Sequence, residues 1–369
     1  MKIEAVELRR VQMPLVAPFR TSVGVATVRD VLLVEVHGSG SSGWGECVAM
    51  SEPLYTAEYV AGAHAVTRDH LLPRLATESD LTAGEVAGAL AAVKGHRMAK
   101  AAVEMAVLDA ELSERGETLA SHFGAVRDAV PSGVSVGIAS SVAELLDTVA
   151  GYLDRGYLRV KLKIEPGWDI EPVRSVRERF GDDLLLQVDA NAAYSIADAD
   201  HLARLDDFGL VLVEQPLPED DIAGHADLAR RIRTPVCLDE SITSARAAAD
   251  AIDRGACSVV NIKAGRVGGY LEAKRVHDVC ADRGVPVWCG GMFETGLGRA
   301  ANVALAALPN FTLPGDTSAS DRYWKRDLTE PFVLDAGHLR VPHGPGIGVR
   351  PDPSVLAAVT TSVETVWFR

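Results

Sequence analysis

The sequence predicts an α/β fold: a modified (β/α)8-type barrel, its last helix atypical, with an N-terminal α+β capping domain that the C-terminal segment completes. Three observations predict it. First, short β-rich runs alternate with longer helical ones from about Val134 onward. The runs span 134–138, 158–164, 184–189, 210–214, 236–239, 259–263, 285–289 and 311–316. The amphipathic stretches between them span 142–156, 171–180, 196–208, 245–254, 270–283 and 297–308. Parallel strands need such crossovers, and eight regular units suit closure. Second, no Gly-x-Gly-x-x-Gly follows the first run, which counts against an open doubly wound sheet. Third, Lys163, Asp189, Glu214, Asp239 and Lys263 each fall near the end of a run, 24 to 26 residues apart. Strand ends on that side are where a barrel gathers its active site.

Residues 1–125 do not share this rhythm. Segments 6–13, 31–36 and 43–48 read as strands, with the Gly/Ser-rich 38–43 as a hairpin turn. Helical periodicity follows over 56–75 and again over 99–115, and strands followed by helices read as an α+β unit. Between the first two strands, the segment from Pro14 to Ser22 is too proline-broken for regular structure and reads as a loop of lid length. The barrel then takes 126–320. Residues 321–369, with the Gly/Pro-rich 342–348, return to the cap.

With 369 residues and 47% hydrophobic composition the chain can bury a large core. Its net charge of −14 speaks against nucleic acid or an anionic membrane as partner. No apolar run reaches the roughly 18 residues of a membrane span, and the N-terminus lacks the apolar block of a secretory signal. The five cysteines form no Cys-x-x-Cys pair, so reduced thiols in a cytoplasmic protein are expected, not a zinc or redox site.

The most informative run is Val160-Lys161-Leu162-Lys163-Ile164. Side chains in a strand alternate faces, so Lys161 and Lys163 point the same way. A purely structural strand would not bury two ammonium groups side by side. Closure brings Asp189, Glu214 and Asp239 together from three consecutive strands. A single such acid would read as a helix N-cap, but three in register repel unless a cation sits among them. All-oxygen ligands suit a hard divalent ion, Mg²⁺ first and Mn²⁺ second. Lys163 and Lys263 fall on the second and sixth strands, which face each other across an eight-stranded barrel. Lys161 beside Lys163 favours a neutral amine there and could also donate to a substrate carboxylate. Arg266 could act likewise on Lys263 if the loop folds back. A divalent metal with a base on either face suits removal of the proton next to a carboxylate, giving an enediolate.

The Lys-x-Lys pair, Asp189-Ala190-Asn191, Glu214-Gln215-Pro216-Leu217, Asp239-Glu240-Ser241 and Asn261-Ile262-Lys263 resemble the enolase superfamily, muconate-lactonising subgroup. The Pro14 to Ser22 segment, Gly43-Trp44-Gly45-Glu46-Cys47 and the stretches 94–100, 163–169 and 290–299 are similar to one family within it. That family comprises N-acylamino acid (N-succinylamino acid) racemases and o-succinylbenzoate synthases. The resemblance implies Lys163 and Lys263 as the acid/base pair and Asp189, Glu214 and Asp239 as Mg²⁺ ligands. It implies a substrate pocket of Phe19, Met50 and Tyr55 from the cap, with Ser135, Lys161, Asn191, Gly291, Met292 and Phe293 from the barrel. The aromatic ring at 293 would narrow the acyl pocket. The implied reaction is racemisation of N-acylamino acids, with o-succinylbenzoate synthase activity beside it. The alternative is a dedicated o-succinylbenzoate synthase of menaquinone biosynthesis. A metal-binding barrel without turnover would predict a missing ladder residue, and none is missing. A small carboxylate substrate and a homo-oligomer are also implied. No histidine ends a run in the ladder, which argues against a His base. Gly265, Gly268 and Gly269 look like glycines that cradle a phosphate, but a turn that approaches the substrate closely explains them at least as well.

Overall fold

Two sheets organise the chain in a computed structural model that describes residues 1–21, 24–76 and 80–368. Ser22, at the end of the proline-broken segment, and Arg369 lie outside the described residues. In chain order the strands are β1 (Ile3–Thr21), β2 (Gly24–Gly38), β3 (Ser42–Cys47), β4 (Ala129–Pro131), β5 (Gly133–Val136), β6 (Arg159–Lys163) and β7 (Leu185–Asp189). There follow β8 (Val213–Glu214), β9 (Val236–Leu238), β10 (Val259–Ile262), β11 (Val287–Cys289), β12 (His338–Arg340) and β13 (Thr360–Trp367).

The first sheet is antiparallel in the order β13-β1-β2-β3, so the last strand of the chain lies beside the first, Ala5 opposite Trp367. β3 packs on the helix Arg97–Arg115 so closely that its glycines are obligatory. A Cβ at Gly43 would lie 2.2 Å from the Ala106 carbonyl oxygen, and one at Gly45 1.9 Å from that of Ala102.

The second sheet is parallel and runs in sequence from β5 to β11, with a helical crossover after each strand. The run 311–316 differs from expectation: it is not a regular strand. Pro314 has no N–H to give a ladder, and Gly315 weakens one. The segment still bridges the two edges. Phe311 pairs with Val287 and Gly315 with Ser132; Asp316 N–H donates to Cys289 O (2.8 Å) and Gly133 N–H to Gly315 O (2.7 Å). The curled sheet is thereby closed into a modified barrel.

The segment from Pro14 is also not a loop. β1 continues through Pro14 and Pro18 to Thr21, paired with β2 across a register shift between Pro14 and Phe19. β13 stops opposite Val11, so beyond that point one side of β1 needs no donor and proline is tolerated. In the shifted stretch, Val16 N–H donates to Tyr323 O of the C-terminal segment (2.9 Å). The hairpin leans over the barrel mouth. The expected helix 196–208 is one α-helical turn, Ala199–Leu202, flanked by 3-10 turns. The one expected over 56–75 starts at Val60 and widens to a π turn at Thr67–Leu71. No helix among the described residues is long and apolar enough to cross a membrane, and all five cysteines are free and buried.

Candidate active site

Every side chain of β6 is buried, Lys161 and Lys163 included. Burying ammonium groups costs free energy unless partners are supplied at the same depth. The neighbouring strands supply them, because register sets Lys163 opposite Asp189 and Asp189 opposite Glu214. Lys163 Nζ donates to Asp189 Oδ2 and Asn191 Oδ1, both at 2.6 Å. Lys161 Nζ lies 2.9 Å from Glu214 Oε2, 3.3 Å from Asp189 Oδ2 and 2.7 Å from Asp316 Oδ2, and 4.6 Å from the Trp288 ring centre. Across the barrel, Lys263 Nζ donates to Asp239 Oδ2 (2.7 Å) and to the Tyr55 hydroxyl (3.0 Å). Tyr55 belongs to the cap, so the lysine on that side is reached by both units.

Arg266 lies in a helical turn, Ala264–Val267, that does fold back. Its guanidinium pairs with the other oxygen of Asp239 and donates to the carbonyls of Ile242 (2.8 Å) and Asn261 (2.6 Å). Asp239 therefore carries Lys263 on one oxygen and Arg266 on the other. Asn261 Nδ2 donates to Glu214 Oε1 (2.6 Å).

Titration follows from this packing. Burial works against the Lys161 and Lys263 ammonium groups. Asp316, Glu214 and Asp189 hold Lys161 above its ordinary value all the same, and Tyr55, Glu240 and Glu214 do so for Lys263. Burial would raise Asp189, but Lys163 and Lys161 hold it well below the usual carboxylate range. Glu214 goes the other way, raised by burial and by the charge on Asp189. Anionic charge is therefore crowded at the ends of β7 and β8.

A cavity of about 90 Å³ opens directly above these groups. Lys161, Lys163, Asn191, Lys263 and Ser135 line it from the barrel, with Gly291, Met292 and Phe293 beside them. Phe19, Met50 and Tyr55 line it from the cap. Asp189, Glu214 and Asp239, which pair with these lysines, are not among the residues that line it. A second cavity, of about 510 Å³, continues outward under the β1–β2 hairpin and shares Phe19, Met50, Tyr55 and Phe293 with the first. Phe19 meets the Phe293 ring edge-on at 5.1 Å, and Phe293 meets Tyr323 at 5.2 Å.

The acids fit a hard divalent ion in donor type, in coming from three neighbouring strands, and in their crowded charge. Their nearest partners here are lysine, arginine, tyrosine and amide groups, and no group of three or more His, Cys, Asp or Glu is spaced as a ligand set among the described residues.

Sequence reasoning missed several groups. Asp316 ends the eighth run as the other acids end theirs, and pairs with Lys161 and with Arg159 (2.9 Å). The period of the ladder would have found it. Tyr323 and Thr21 also line the cavity, with no signal in the sequence to mark them. The expected close approach at Gly265 and Gly269 is real, but to the cap. A Cβ at Gly265 would lie 2.3 Å from Val48, and one at Gly269 2.2 Å from the Glu104 carboxylate.

Comparison with known proteins agrees with this fold. Residues 3–124 match the mandelate racemase / muconate lactonizing enzyme N-terminal domain, and residues 144–355 match the enolase C-terminal domain-like family. The chain is 67% identical to an N-succinylamino acid racemase of an Amycolatopsis species over 100% of both chains. It is 48% identical to o-succinylbenzoate synthase of Geobacillus stearothermophilus, covering 94% of this chain and 92% of that one. A crystal structure of an enolase-superfamily protein from Listeria innocua superposes with a TM-score of 0.96 at 40% identity, over 100% of both chains.

Proposed function

The chain belongs to the mandelate racemase / muconate lactonizing enzyme family of the enolase superfamily, and we propose that it racemises N-acylamino acids, N-succinylamino acids foremost. The supporting observation is that Lys163, at the end of β6, and Lys263, just past the end of the opposed β10, line one cavity from two sides. Racemisation requires that one group remove the α-proton and another return a proton to the opposite face. Each lysine rests on the carboxylate of the neighbouring strand, which orients its Nζ toward the cavity floor. Arg266 shares Asp239 with Lys263 and so lowers the hold of that carboxylate on the lysine. That neighbouring cation supports exchange of the Lys263 proton, against the hold of Tyr55, Glu240 and Glu214 on the ammonium. Lys161 is kept cationic by three carboxylates, which suits binding of the substrate carboxylate better than proton transfer. Phe19, Met50, Tyr55, Ser135, Asn191, Gly291, Met292 and Phe293 shape the pocket, with residues 1–125 closing it over the barrel of 126–320 and 321–369 tying back to the cap.

Asp189, Glu214 and Asp239 would hold a divalent cation, Mg²⁺ or Mn²⁺, which would stabilise the charge of the developing enediolate and compete with the lysines for those carboxylates. The same reading carries a small carboxylate substrate, a homo-oligomeric state and a cytoplasmic location.

A second reading is supported by the identity to o-succinylbenzoate synthase. In that dehydration Lys163 takes the proton, hydroxide leaves from the β-carbon and Lys263 stays a cation beside the intermediate. Both reactions can share this site. Incubation of the protein and Mg²⁺ with one enantiomer of N-succinylphenylalanine in D₂O separates them. Racemisation puts α-deuterium in both enantiomers; an unexchanged substrate would remove that activity.

A further inference from the structure

The wall formed by Met292 and Phe293 is strained. Phe293 has φ of 56°, a left-handed conformation that bulky side chains avoid. Such a residue persists only where its surroundings over-determine it. The surroundings here come largely from the next two residues. Glu294 Oε2 accepts from the Met292 N–H, and its Oε1 from Asn302 Nδ2, both at 2.9 Å. Its backbone carbonyl accepts from Arg299 (2.9 Å) and Trp324 Nε1 (3.2 Å).

The remaining clamp belongs to the cap. Glu46, buried at the end of β3, crosses to the barrel and accepts from the Thr295 N–H (3.0 Å), the Thr295 hydroxyl (2.7 Å) and the Gly298 N–H (2.9 Å). The position is fitted to it: a Cβ at Gly298 would lie 2.9 Å from Glu46 Oε2 and 2.8 Å from Glu294 Cγ. We propose that Glu46 is a positioning residue, which from the cap holds the Met292–Phe293 wall in its strained form and thereby sets the substrate side chains the pocket accepts. The proposal rests on the racemase reading above for its substrates, but its structural half stands apart from it.

A second carboxylate separates positioning from docking. Glu104, on the helix Arg97–Arg115, is equally buried and receives the start of the helix Tyr270–Asp282, accepting from Leu271 N–H at 3.0 Å. None of residues 264–282 lines the cavity. Both acids dock the cap on the barrel, and of the two Glu46 binds the residues that follow the wall, Thr295 and Gly298.

The experiment compares Glu46→Gln, Glu104→Gln and wild type, with Gly298→Ala as a variant that keeps Glu46 but crowds its carboxylate and the Glu294 side chain together. The kcat/KM ratio for N-succinylphenylalanine over N-succinylalanine is measured, together with amide exchange over residues 290–298. Glu46→Gln and Gly298→Ala are expected to shift the ratio about tenfold, chiefly through KM, which is the effect of one buried hydrogen bond. Exchange at the Met292 amide accelerates with it. Glu104→Gln leaves both readouts at the wild-type value whatever it does to melting temperature. An unchanged ratio and unchanged exchange in the first two variants would overturn the inference, as would equal shifts in Glu104→Gln. Should wild type racemise neither substrate, the racemase reading fails, and the exchange data alone decide on Glu46.

Discussion

Lys163 and Lys263 each meet a carboxylate from a neighbouring strand, so replacing either by Ala leaves a buried acid short of a partner. Lys161 remains beside Asp189, and Arg266 remains on Asp239, which limits the damage to the fold. Activity has no such substitute. Each Ala variant is expected to lose at least about 100-fold in racemisation, the usual scale for a general acid or base. Each keeps its circular dichroism, and exchange of the α-proton in D₂O survives from only one enantiomer. Racemisation surviving in both variants would refute the two-lysine mechanism. At this scale much of the site is legible in the sequence, because a residue that closes an apolar run on a barrel strand has one place to go. Asp316 obeys the same rule, since it closes the run 311–316, and the period of the ladder was enough to mark it. Tyr55 was reached by resemblance alone: its bond to Lys263 spans 208 residues, and no local pattern encodes it.

Among elements, the contact of β3 with the helix Arg97–Arg115 leaves the least tolerance. Gly45 has no room for a methyl group against the Ala102 carbonyl. Gly45→Ala must move helix or strand, at a cost of about 1–3 kcal/mol for overpacking. The variant should show a lower urea midpoint with an unchanged slope; an unchanged midpoint would mean that this packing is softer than its geometry. The hairpin of β1 and β2 shows why prolines mislead when read locally. Pro14 and Pro18 forbid a central strand, but from β13's end onward β1 is an edge, and an edge tolerates them. The 3-10 turns about Ala199–Leu202 are likewise invisible to periodicity, since 3.0 and 3.6 residues per turn diverge little over so few residues.

For the whole molecule, the seam between cap and barrel holds two acids far from their ordinary state. Burial pushes Glu46 and Glu104 up to about 7 from 4.5. Glu294 adds to the rise of Glu46, while Arg29 faces the same pocket from β2. Arg275 and Glu272 act on Glu104 in opposite senses. An acid raised on folding keeps a proton that the unfolded chain has released. Its contribution to stability is full below 4.5 and lost as pH rises through about 7. Wild type should therefore lose stability relative to Glu104→Gln between pH 4.5 and about 7, the window set by those two values, as read from denaturant midpoints. Parallel pH profiles for the two proteins would show that Glu104 is already ionised in the folded state.

The sequence by itself determined the barrel, the antiparallel cap and the ladder of acids and lysines, because strand periodicity and the one-handed crossover leave these few alternatives. What tertiary structure decided is which side chains finish the pocket and what holds them there. The closing bonds of the irregular 311–316 segment, the reach of Tyr55 to Lys263 and the grip of Glu46 on Thr295 all join distant parts of the chain. Their energies come from burial that exists only after folding, so no local pattern of residues announces them.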